Sequence, residues 1–255
     1  MLLAIDVGNT NITLGLFDGE AIVGSWRVET VRTRTSDEYG LLIRLLLEQS
    51  GFTASRITGV VGASVVPPLT PVIRQLAATA FKTKAVLVEP GIRTGLPVIY
   101  DPPKDVGADR IVNGVAAFAR FQSACIVVDF GTATTFDCIT AHGEYGGGAI
   151  APGIQIAADA LFSRTAKLPR VEVARPDRVV GRSTRESIQS GTYFGYVAMV
   201  DGLVERIRAE MNVQPIRVLA TGGLATVIAE DSKTIEVVDP DLTLVGLRLI
   251  YERNK

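Results

Sequence analysis

The sequence predicts an α/β protein made of two duplicated domains, each with a mixed sheet flanked by helices. The first observation is a pattern that occurs twice: an apolar strand leads into Asp-x-Gly at residues 4–11 and again at residues 127–134. The second is that strand-like and helix-like periodicities alternate through both halves of the chain, which is typical of α/β folds. We therefore predict two domains facing one cleft, residues 1–115 and residues 116–255.

The elements of the first half follow from periodicity and turn residues. Three consecutive strands are predicted within residues 2–28, with turns at Gly8-Asn9 and Asp18-Gly19. Thr35 and Glu38 have the spacing of a capping box, which starts a helix, and the predicted buried face of that helix is Tyr39, Leu42, Ile43, Leu46 and Leu47. The rest of this half is predicted as a buried strand over 57–66, a helix over 67–81, a strand over 84–88, a Gly- and Pro-rich loop over 89–107 and a helix over 108–121.

The second half repeats this plan. Ser183 and Glu186 form a second predicted capping box, and the helix that they start extends to about Met211. Residues 163–182 have no apolar period, so we predict an extended excursion there. The other predicted elements are strands over 124–130, 134–140, 145–151, 217–221 and 234–238, and helices over 153–162, 223–230 and 242–251.

Composition and charge exclude several classes of protein. Hydrophobic residues make up 47 % of the 255, which is ample for two cores, and 26 Lys+Arg against 27 Asp+Glu leave a net charge of −1. This balance gives no general attraction for nucleic acid or an anionic membrane. No apolar run approaches the ~20 residues of a membrane span, and the N-terminal residues lack the basic region of a signal peptide. We expect no membrane or nucleic-acid partner.

Cysteine usage favours a cytoplasmic location. Cys125 and Cys138 lie in apolar, strand-like segments without the spacing of a metal site. We expect two reduced thiols in the core, with a cross-strand disulfide as the alternative.

The two Asp-x-Gly turns are candidate phosphate loops. In the first, Asp6 ends a strand and Gly8 lets the loop backbone approach a ligand, so a phosphate and its Mg²⁺ fit there. In the second, Asp129 suits a cation and Thr132 can donate to phosphate. The alternatives are an ordinary hairpin turn for the first loop and a vestigial copy for the second. Neither loop is a P-loop, because Gly-x-x-x-x-Gly-Lys-Thr is absent from the sequence.

Three further segments carry candidate chemistry. Asp109 and Arg110 begin a predicted helix after the Pro-rich loop, and a kinase acting on a hydroxyl needs a carboxylate and gains from a cation. Thr184 follows the cap of its helix and has a spare hydroxyl for an anion, although an ordinary first-turn threonine is the alternative. Paired glycines that can admit a nucleotide lie at Gly222-Gly223 and at Gly146–Gly148.

Taken together, these motifs resemble one family. The segments Asp6–Asn11, Pro103–Arg110, Asp129–Thr135, Gly147–Gly153 and Thr221–Gly223 occur in the order found in type III pantothenate kinases. Those enzymes belong to the superfamily of acetate and sugar kinases, heat-shock chaperones and actin. The resemblance implies ribonuclease H-like (actin-like ATPase) domains. It also implies ATP-dependent phosphorylation of pantothenate to 4′-phosphopantothenate, the first step of coenzyme A synthesis.

The resemblance also implies a role for each site residue. The ATP phosphates would contact Asp6, Val7, Gly8, Asn9, Thr10, Asn11, Ile12 and Thr13, with Thr132 assisting. Asp109 would accept the proton, and pantothenate would contact Tyr100, Gly107, Ala108, Asp109, Arg110 and Thr184. Asp129 would bind a monovalent cation, K⁺ or NH₄⁺, beside the Mg²⁺ that accompanies ATP. The enzyme would be a homodimer, and Thr184 would contact pantothenate either in the site of its own chain or in that of the partner subunit.

Two other functions stay open at this point. One is another small-acid kinase or ATPase of the same superfamily. The other is a non-catalytic regulator, for which the basic stretch 164–185 offers seven Lys and Arg residues against Glu172 and Asp177. Both Asp-x-Gly loops and Asp109 are intact, which argues against a dead enzyme. Gly191 and Gly195 form a small-residue stripe that suits close helix packing, either across a dimer or within the chain.

Overall fold

The chain folds into two units, described in a computed structural model for residues 1–165 and 167–255. The first unit contains residues 1–116 and 242–255, and the second contains residues 117–241. This division differs from the predicted domains 1–115 and 116–255 at two points, because residue 116 and the C-terminal residues 242–255 both belong to the first unit.

The first unit is built on a five-stranded mixed sheet. Its strands are β1 (Leu2–Val7), β2 (Asn11–Asp18), β3 (Ala21–Glu29), β4 (Gly59–Ser64) and β5 (Ala85–Leu87). They lie in the order β3-β2-β1-β4-β5. The first three strands are antiparallel neighbours, whereas β4 runs parallel to β1 and β5 runs parallel to β4. As predicted, β4 is buried along nearly its whole length.

Helices α1 (Ser36–Gln49) and α2 (Thr70–Ala80) pack on one face of this sheet, where they bury the apolar residues of β1 and β2. The capping box of α1 is confirmed, because Thr35 accepts from the Glu38 amide and Glu38 accepts from the Thr35 amide. A short 3₁₀ turn at Pro67–Leu69 precedes α2. The predicted helix over 67–81 therefore begins three residues late, because the paired prolines favour a turn.

The closing helix α7 (Leu242–Asn254) packs on the opposite face of the first sheet. Two glycines of the sheet make this approach possible, because a Cβ on Gly15 would meet Leu244 and one on Gly59 would meet Tyr251. On the helix itself, a Cβ on Gly246 would meet Val112. Val112 belongs to α3 (Ala108–Phe121), and the boundary between the units falls within this helix. No local periodicity could reveal that the last helix pairs with the first sheet.

The second unit repeats the topology of the first. Its strands are β6 (Cys125–Phe130), β7 (Ala133–Ile139), β8 (Tyr145–Pro152), β9 (Arg217–Gly222) and β10 (Val237–Val238). Their order is β10-β9-β6-β7-β8, with antiparallel pairs β6–β7 and β7–β8 and parallel pairs β6–β9 and β9–β10. Each strand has its counterpart in the first sheet, so the predicted duplication is confirmed.

Helices α4 (Ile154–Ser163), α5 (Thr184–Met211) and α6 (Ala225–Ala229) belong to this unit, and all three contribute to one core. The predicted helix to Met211 is confirmed, but its capping box is only half formed. Ser183 accepts from the Glu186 amide at 3.2 Å, whereas the Glu186 carboxylate accepts from the Arg182 amide at 2.7 Å instead of from Ser183. The described residues of the 164–183 segment lie outside helices and strands, as expected, and residue 166 lies outside the description.

The register of β6 and β7 decides between the alternatives for the cysteines. Cys125 pairs with Ile139 and Cys138 pairs with Ile126, so the two thiols point to opposite faces of the sheet. Neither forms a disulfide and both are buried, and burial, followed by the neighbouring Cys138, raises the pKa of Cys125 to about 12. The expected reduced core thiols are confirmed.

Among the described residues, no helix is both long and apolar enough to cross a membrane.

Candidate active site

The first phosphate loop joins β1 to β2. Asp6 pairs with Thr13 across the two strands, and directly paired residues share one face of a sheet. The next pair, Val7 and Ile12, is buried in the core against α1 and α2. Of the residues expected to contact ATP, these two can therefore offer only backbone groups, while the side chains of Asn9, Thr10 and Asn11 are exposed.

Thr30, at the end of β3, fastens this loop from outside the motif. Its hydroxyl donates to the Gly8 carbonyl at 2.7 Å, and its amide donates to the Thr10 carbonyl at 3.0 Å. Within the loop, the Gly8 amide donates to the Asn11 carbonyl at 3.0 Å. Sequence analysis missed Thr30, because its hydrogen-bond partners Gly8 and Thr10 lie far from it in the sequence and it belongs to no motif.

The first turn of α3 supplies the candidate catalytic carboxylate. Asp109 lies in the first helical turn, and its Oδ1 accepts from the Arg110 amide at 2.8 Å. Burial raises the pKa of this carboxyl, and the bonds and charge of Arg110 oppose the shift without cancelling it. A Cβ on Gly107 would lie 2.5 Å from Asp109 Oδ1, so glycine is required there for the carboxylate to occupy this position. Arg110 is buried.

The loop expected to contact substrate is held by the C-terminal end of α7. The Asn254 side chain donates to the Arg93 carbonyl at 2.8 Å and accepts from the Arg93 amide at 3.2 Å. Arg253 donates to the Thr94 carbonyl. Tyr100 follows in the same loop and is 37 % exposed, so its ring is accessible to a ligand.

The second loop joins β6 to β7 with the same internal bond as the first. The Gly131 amide donates to the Ala133 carbonyl at 3.0 Å, matching the bond from Gly8 to Asn11. Asp129 pairs with Thr135 as Asp6 pairs with Thr13. This second loop is one residue shorter than the first. Residues 131–132 separate β6 from β7, whereas residues 8–10 separate β1 from β2.

Two glycine turns close on this loop. Gly222, at the end of β9, has φ +92°, and a Cβ there would lie 2.6 Å from Asp129 Oδ1. Gly153, directly after β8, would place a Cβ 2.2 Å from the Thr132 carbonyl oxygen. The motifs around 129–135, 147–153 and 221–223 thus form one cluster in the second unit. The sequence placed them in order but gave no sign of these contacts.

Thr184 lies at the exposed start of α5, where Ser183 provides the cap as predicted. It lines an open groove of about 510 Å³ between α4 and α5. The other lining residues are Ala157, Leu161, Leu168, Ser187, Ile188, Gly191, Thr192 and Tyr196. Apolar side chains form much of this groove, and hydroxyl groups line it along α5 at Thr184, Ser187, Thr192 and Tyr196.

The basic stretch 164–185 is partly neutralised within its own unit. Arg170 pairs with Asp159 at 2.8 Å, and Arg175 pairs with Asp231 at 2.7 Å. These pairs fasten the extended segment to α4 and to the end of α6. Among the described residues, no group of three or more His, Cys, Asp or Glu side chains is arranged to hold a metal.

Comparison with known proteins identifies the family to which this geometry corresponds. Over residues 2–206 the chain matches the family described as type III pantothenate kinase. A type III pantothenate kinase from Geobacter sulfurreducens is 54 % identical over 255 residues, which cover the whole of both chains. One from Syntrophotalea carbinolica is 55 % identical over 255 residues, again the whole of both.

Solved structures agree on the fold. The crystal structure of an inorganic polyphosphate/ATP-glucomannokinase from Arthrobacter sp. covers 98 % of this chain and 97 % of its own, with a TM-score of 0.50 and 14 % identity. At that identity the likeness concerns the fold alone, which is that of the actin-like ATPases and related kinases. The predicted fold class is therefore confirmed.

Proposed function

The chain belongs to the type III pantothenate kinase family, and we propose that its reaction is the ATP-dependent phosphorylation of pantothenate, the first step of coenzyme A synthesis. The observation that carries this proposal is Asp109, a carboxyl with a raised pKa at the start of α3, in a chain that also has two matching Asp-x-Gly loops. Phosphoryl transfer needs few reacting groups on the protein, because positioning and electrostatics dominate.

We propose that the first loop holds the ATP phosphates through its amides and exposed polar side chains. Thr30 keeps the loop in shape, so that its amides are ordered before the nucleotide arrives. Asp6 at the strand end suits the Mg²⁺ that accompanies ATP, since hard cations prefer carboxylate and phosphate oxygens. Thr132 in the second loop assists with a hydroxyl donor.

Asp109 orients the pantothenate hydroxyl and accepts its proton as the phosphoryl group is transferred. Burial has moved the pKa of this carboxyl toward neutrality, which brings a general base closer to the pH at which it operates. The proton leaves the hydroxyl oxygen as that oxygen bonds to the γ-phosphorus of ATP, and ADP leaves with the electrons of the broken P–O bond.

The other end of pantothenate carries a carboxylate, which needs a cation or helix amides. Arg110, adjacent to Asp109, is the proposed cationic contact. Thr184 offers a hydroxyl at the N-terminal end of the 28-residue helix α5, where the helix dipole favours an anion. Tyr100, Gly107 and Ala108 are the remaining proposed contacts with pantothenate.

Asp129 is the proposed ligand of a monovalent cation, K⁺ or NH₄⁺. Asp129 lies at the end of β6, and Gly222 packs so closely against it that an added Cβ would lie 2.6 Å from Asp129 Oδ1. A carboxylate is the kind of donor that a hard cation prefers, so the chemistry of this residue fits the proposed ion. When bound, the cation would supply positive charge that offsets the negative charge of the ATP phosphates. The reaction itself proceeds through Asp109 and the loop donors.

We propose that the active unit is a homodimer formed through the α4–α5 face. Gly191 and Gly195 have nothing within 4 Å of an added Cβ, so this stretch of α5 is open to a neighbouring helix. Large apolar side chains are exposed on the same unit at Ile150, Ile156, Leu161 and Phe162. Together with the groove beside Thr184, they form a surface that a second copy can bury. We also propose a cytoplasmic location, which ATP use and two thiols outside any disulfide favour.

The proposal is tested by ATP turnover of the purified chain with pantothenate, with related hydroxy acids and with no acceptor, each with and without K⁺. We expect turnover that depends on pantothenate and is stimulated by K⁺. Turnover with a different acid alone would identify another kinase of the superfamily. No turnover, together with DNA binding that weakens steeply with salt, would identify a regulator.

A further inference from the structure

One contact links helix α5 to the second phosphate loop. The Tyr196 hydroxyl donates to the Pro152 carbonyl at 2.8 Å. Pro152 is the last residue of β8 and pairs with Ala133, the residue at which the loop re-enters β7. The bond therefore holds the end of β8 beside the exit of the loop.

The next residue brings the same turn into contact with the loop itself. Gly153 lies so close to the loop that an added Cβ would meet the Thr132 carbonyl at 2.2 Å and the Gly131 carbonyl at 2.8 Å. The backbone of the turn is therefore packed closely against that of the loop, so a displacement of the Pro152–Gly153 turn toward the loop would press on the Thr132 peptide. Tyr196 also lines the groove that contains Thr184. Tyr196 therefore connects the groove beside Thr184 to the Thr132 backbone, through the Pro152–Gly153 turn.

We propose that Tyr196 is a positioning residue for the Gly131–Ala133 loop and, resting on the proposed function, for the ATP phosphates that Thr132 contacts. Its hydroxyl fixes the Pro152–Gly153 turn, and the turn fixes the loop backbone. Loss of the hydroxyl should leave the fold and the wall of the groove in place, because Phe keeps the ring. It should weaken the placement of Thr132.

The chain contains a matched control on the same helix. The Tyr193 hydroxyl donates to the Val227 carbonyl at 2.9 Å, a bond of the same kind and nearly the same length. Val227 belongs to α6, and Tyr193 is fully buried in the core. The Tyr193 hydroxyl also interacts with the Asp231 carboxylate. The substitution Tyr193→Phe therefore removes at least an equivalent hydrogen bond, and its partners lie at α6 rather than at the Pro152–Gly153 turn.

The experiment compares Tyr196→Phe, Tyr193→Phe and the wild type by amide hydrogen exchange and by binding of a non-hydrolysable ATP analogue. We expect Tyr196→Phe to accelerate exchange of the Gly131 amide, which donates within the loop, and to weaken analogue binding about three- to tenfold, the loss that corresponds to one neutral hydrogen bond. We expect Tyr193→Phe to lower the melting temperature at least as much without either local effect. In turnover assays, Tyr196→Phe should raise KM for ATP more than KM for pantothenate.

The outcomes separate this proposal from the proposed function. Loop exchange and analogue affinity that are the same in the two variants would overturn the role of Tyr196. A wild type that binds the analogue without phosphorylating pantothenate would overturn the proposed function, while faster exchange of the loop in Tyr196→Phe alone would still support the positioning role.

Discussion

At the scale of single residues, Asp109 shows how local geometry prepares a group for chemistry. Gly107 leaves room for the carboxylate and the Arg110 amide orients it. Burial raises its pKa, so the folded state favours the neutral form more than the unfolded chain does. The charged form, which the proposed mechanism requires, therefore lowers the stability of the fold at neutral pH.

The first prediction concerns the loss of folding stability that the charged Asp109 carboxylate causes at neutral pH. Asp109→Asn keeps the acceptor for the Arg110 amide and removes the buried charge, so we expect a free energy of unfolding at pH 7 equal to or above that of the wild type. The difference should shrink as pH falls through the raised pKa and vanish below about pH 3, where the carboxyl is neutral in both the folded and the unfolded state. Urea unfolding across this range measures it. Asp105→Asn, at an exposed position four residues earlier, is the control, and a marked loss of stability only in Asp109→Asn would contradict the prediction.

The second prediction concerns Asp129. If its carboxylate holds the monovalent cation, Asp129→Ala should lose K⁺ stimulation of turnover more than it loses affinity for ATP. Titration of activity with K⁺ at constant ionic strength, with Na⁺ as the replacement, makes the comparison. Equal wild-type rates in Na⁺ and K⁺ would remove the cation from the mechanism.

At the scale of elements, close backbone contacts organise the site in the second unit. The Pro152–Gly153 turn touches the Thr132 peptide, and Gly222 in a left-handed conformation touches Asp129. These contacts join segments that are distant in sequence. They explain why these two motif positions are glycines, although the spacing of residues within each motif is common among proteins.

The third prediction follows for Gly153. In Gly153→Ala the new methyl would overlap the Thr132 carbonyl, so the loop or helix α4 must shift, and we expect a loss of about 1–3 kcal/mol of unfolding free energy, typical of overpacking. ATP affinity should fall with it. Gly202→Ala on α5 is the control, since nothing lies within 4 Å of its Cβ and Gly to Ala within a helix stabilises by about 0.5–1 kcal/mol. A Gly153→Ala chain with wild-type stability and ATP affinity would show that the contact has no such consequence.

The elements also show what the sequence could and could not reveal. The α1 capping box, the long helix α5 and the duplicated strands were predictable, because they depend on periodicity and on residues at most a few positions apart. The burial of Val7 and Ile12 also follows from strand alternation. The Thr30 bonds, the Gly153 contact and the docking of α7 on the first sheet depend on residues brought together by folding, and no local pattern encodes them.

At the scale of the whole molecule, the two units carry the same strand order, and each presents one Asp-x-Gly loop after its first strand. We propose different roles for the two loops because their surroundings differ. The first loop has a run of exposed Asn and Thr side chains, and the second is in close contact with two glycine turns. The second unit also carries the open α4–α5 face. Assembly through that face would place the start of α5 at the boundary between two copies.

The fourth prediction tests whether Thr184 then serves the partner subunit's site. Asp109→Asn and Thr184→Arg chains are each inactive in this proposal, but a mixed dimer contains one site with both residues intact. In a random one-to-one mixture half of the dimers are mixed and each has one working site of two, so we expect about a quarter of wild-type activity. Refolding the two chains together and assaying turnover measures the recovery. No recovery would assign Thr184 to its own chain, and a fully active monomer in light scattering would exclude the dimer.

The most direct test of the central claim is the formation of phosphorylated pantothenate by Asp109→Asn, followed by phosphorus NMR with ATP and pantothenate as the only substrates. The wild type and Asp105→Asn should form the phosphomonoester at similar rates. Asp109→Asn should be slower by about 10²- to 10⁴-fold, the usual contribution of a proton-transfer group, while it binds an ATP analogue as the wild type does. Product formation by Asp109→Asn near the wild-type rate would contradict the account.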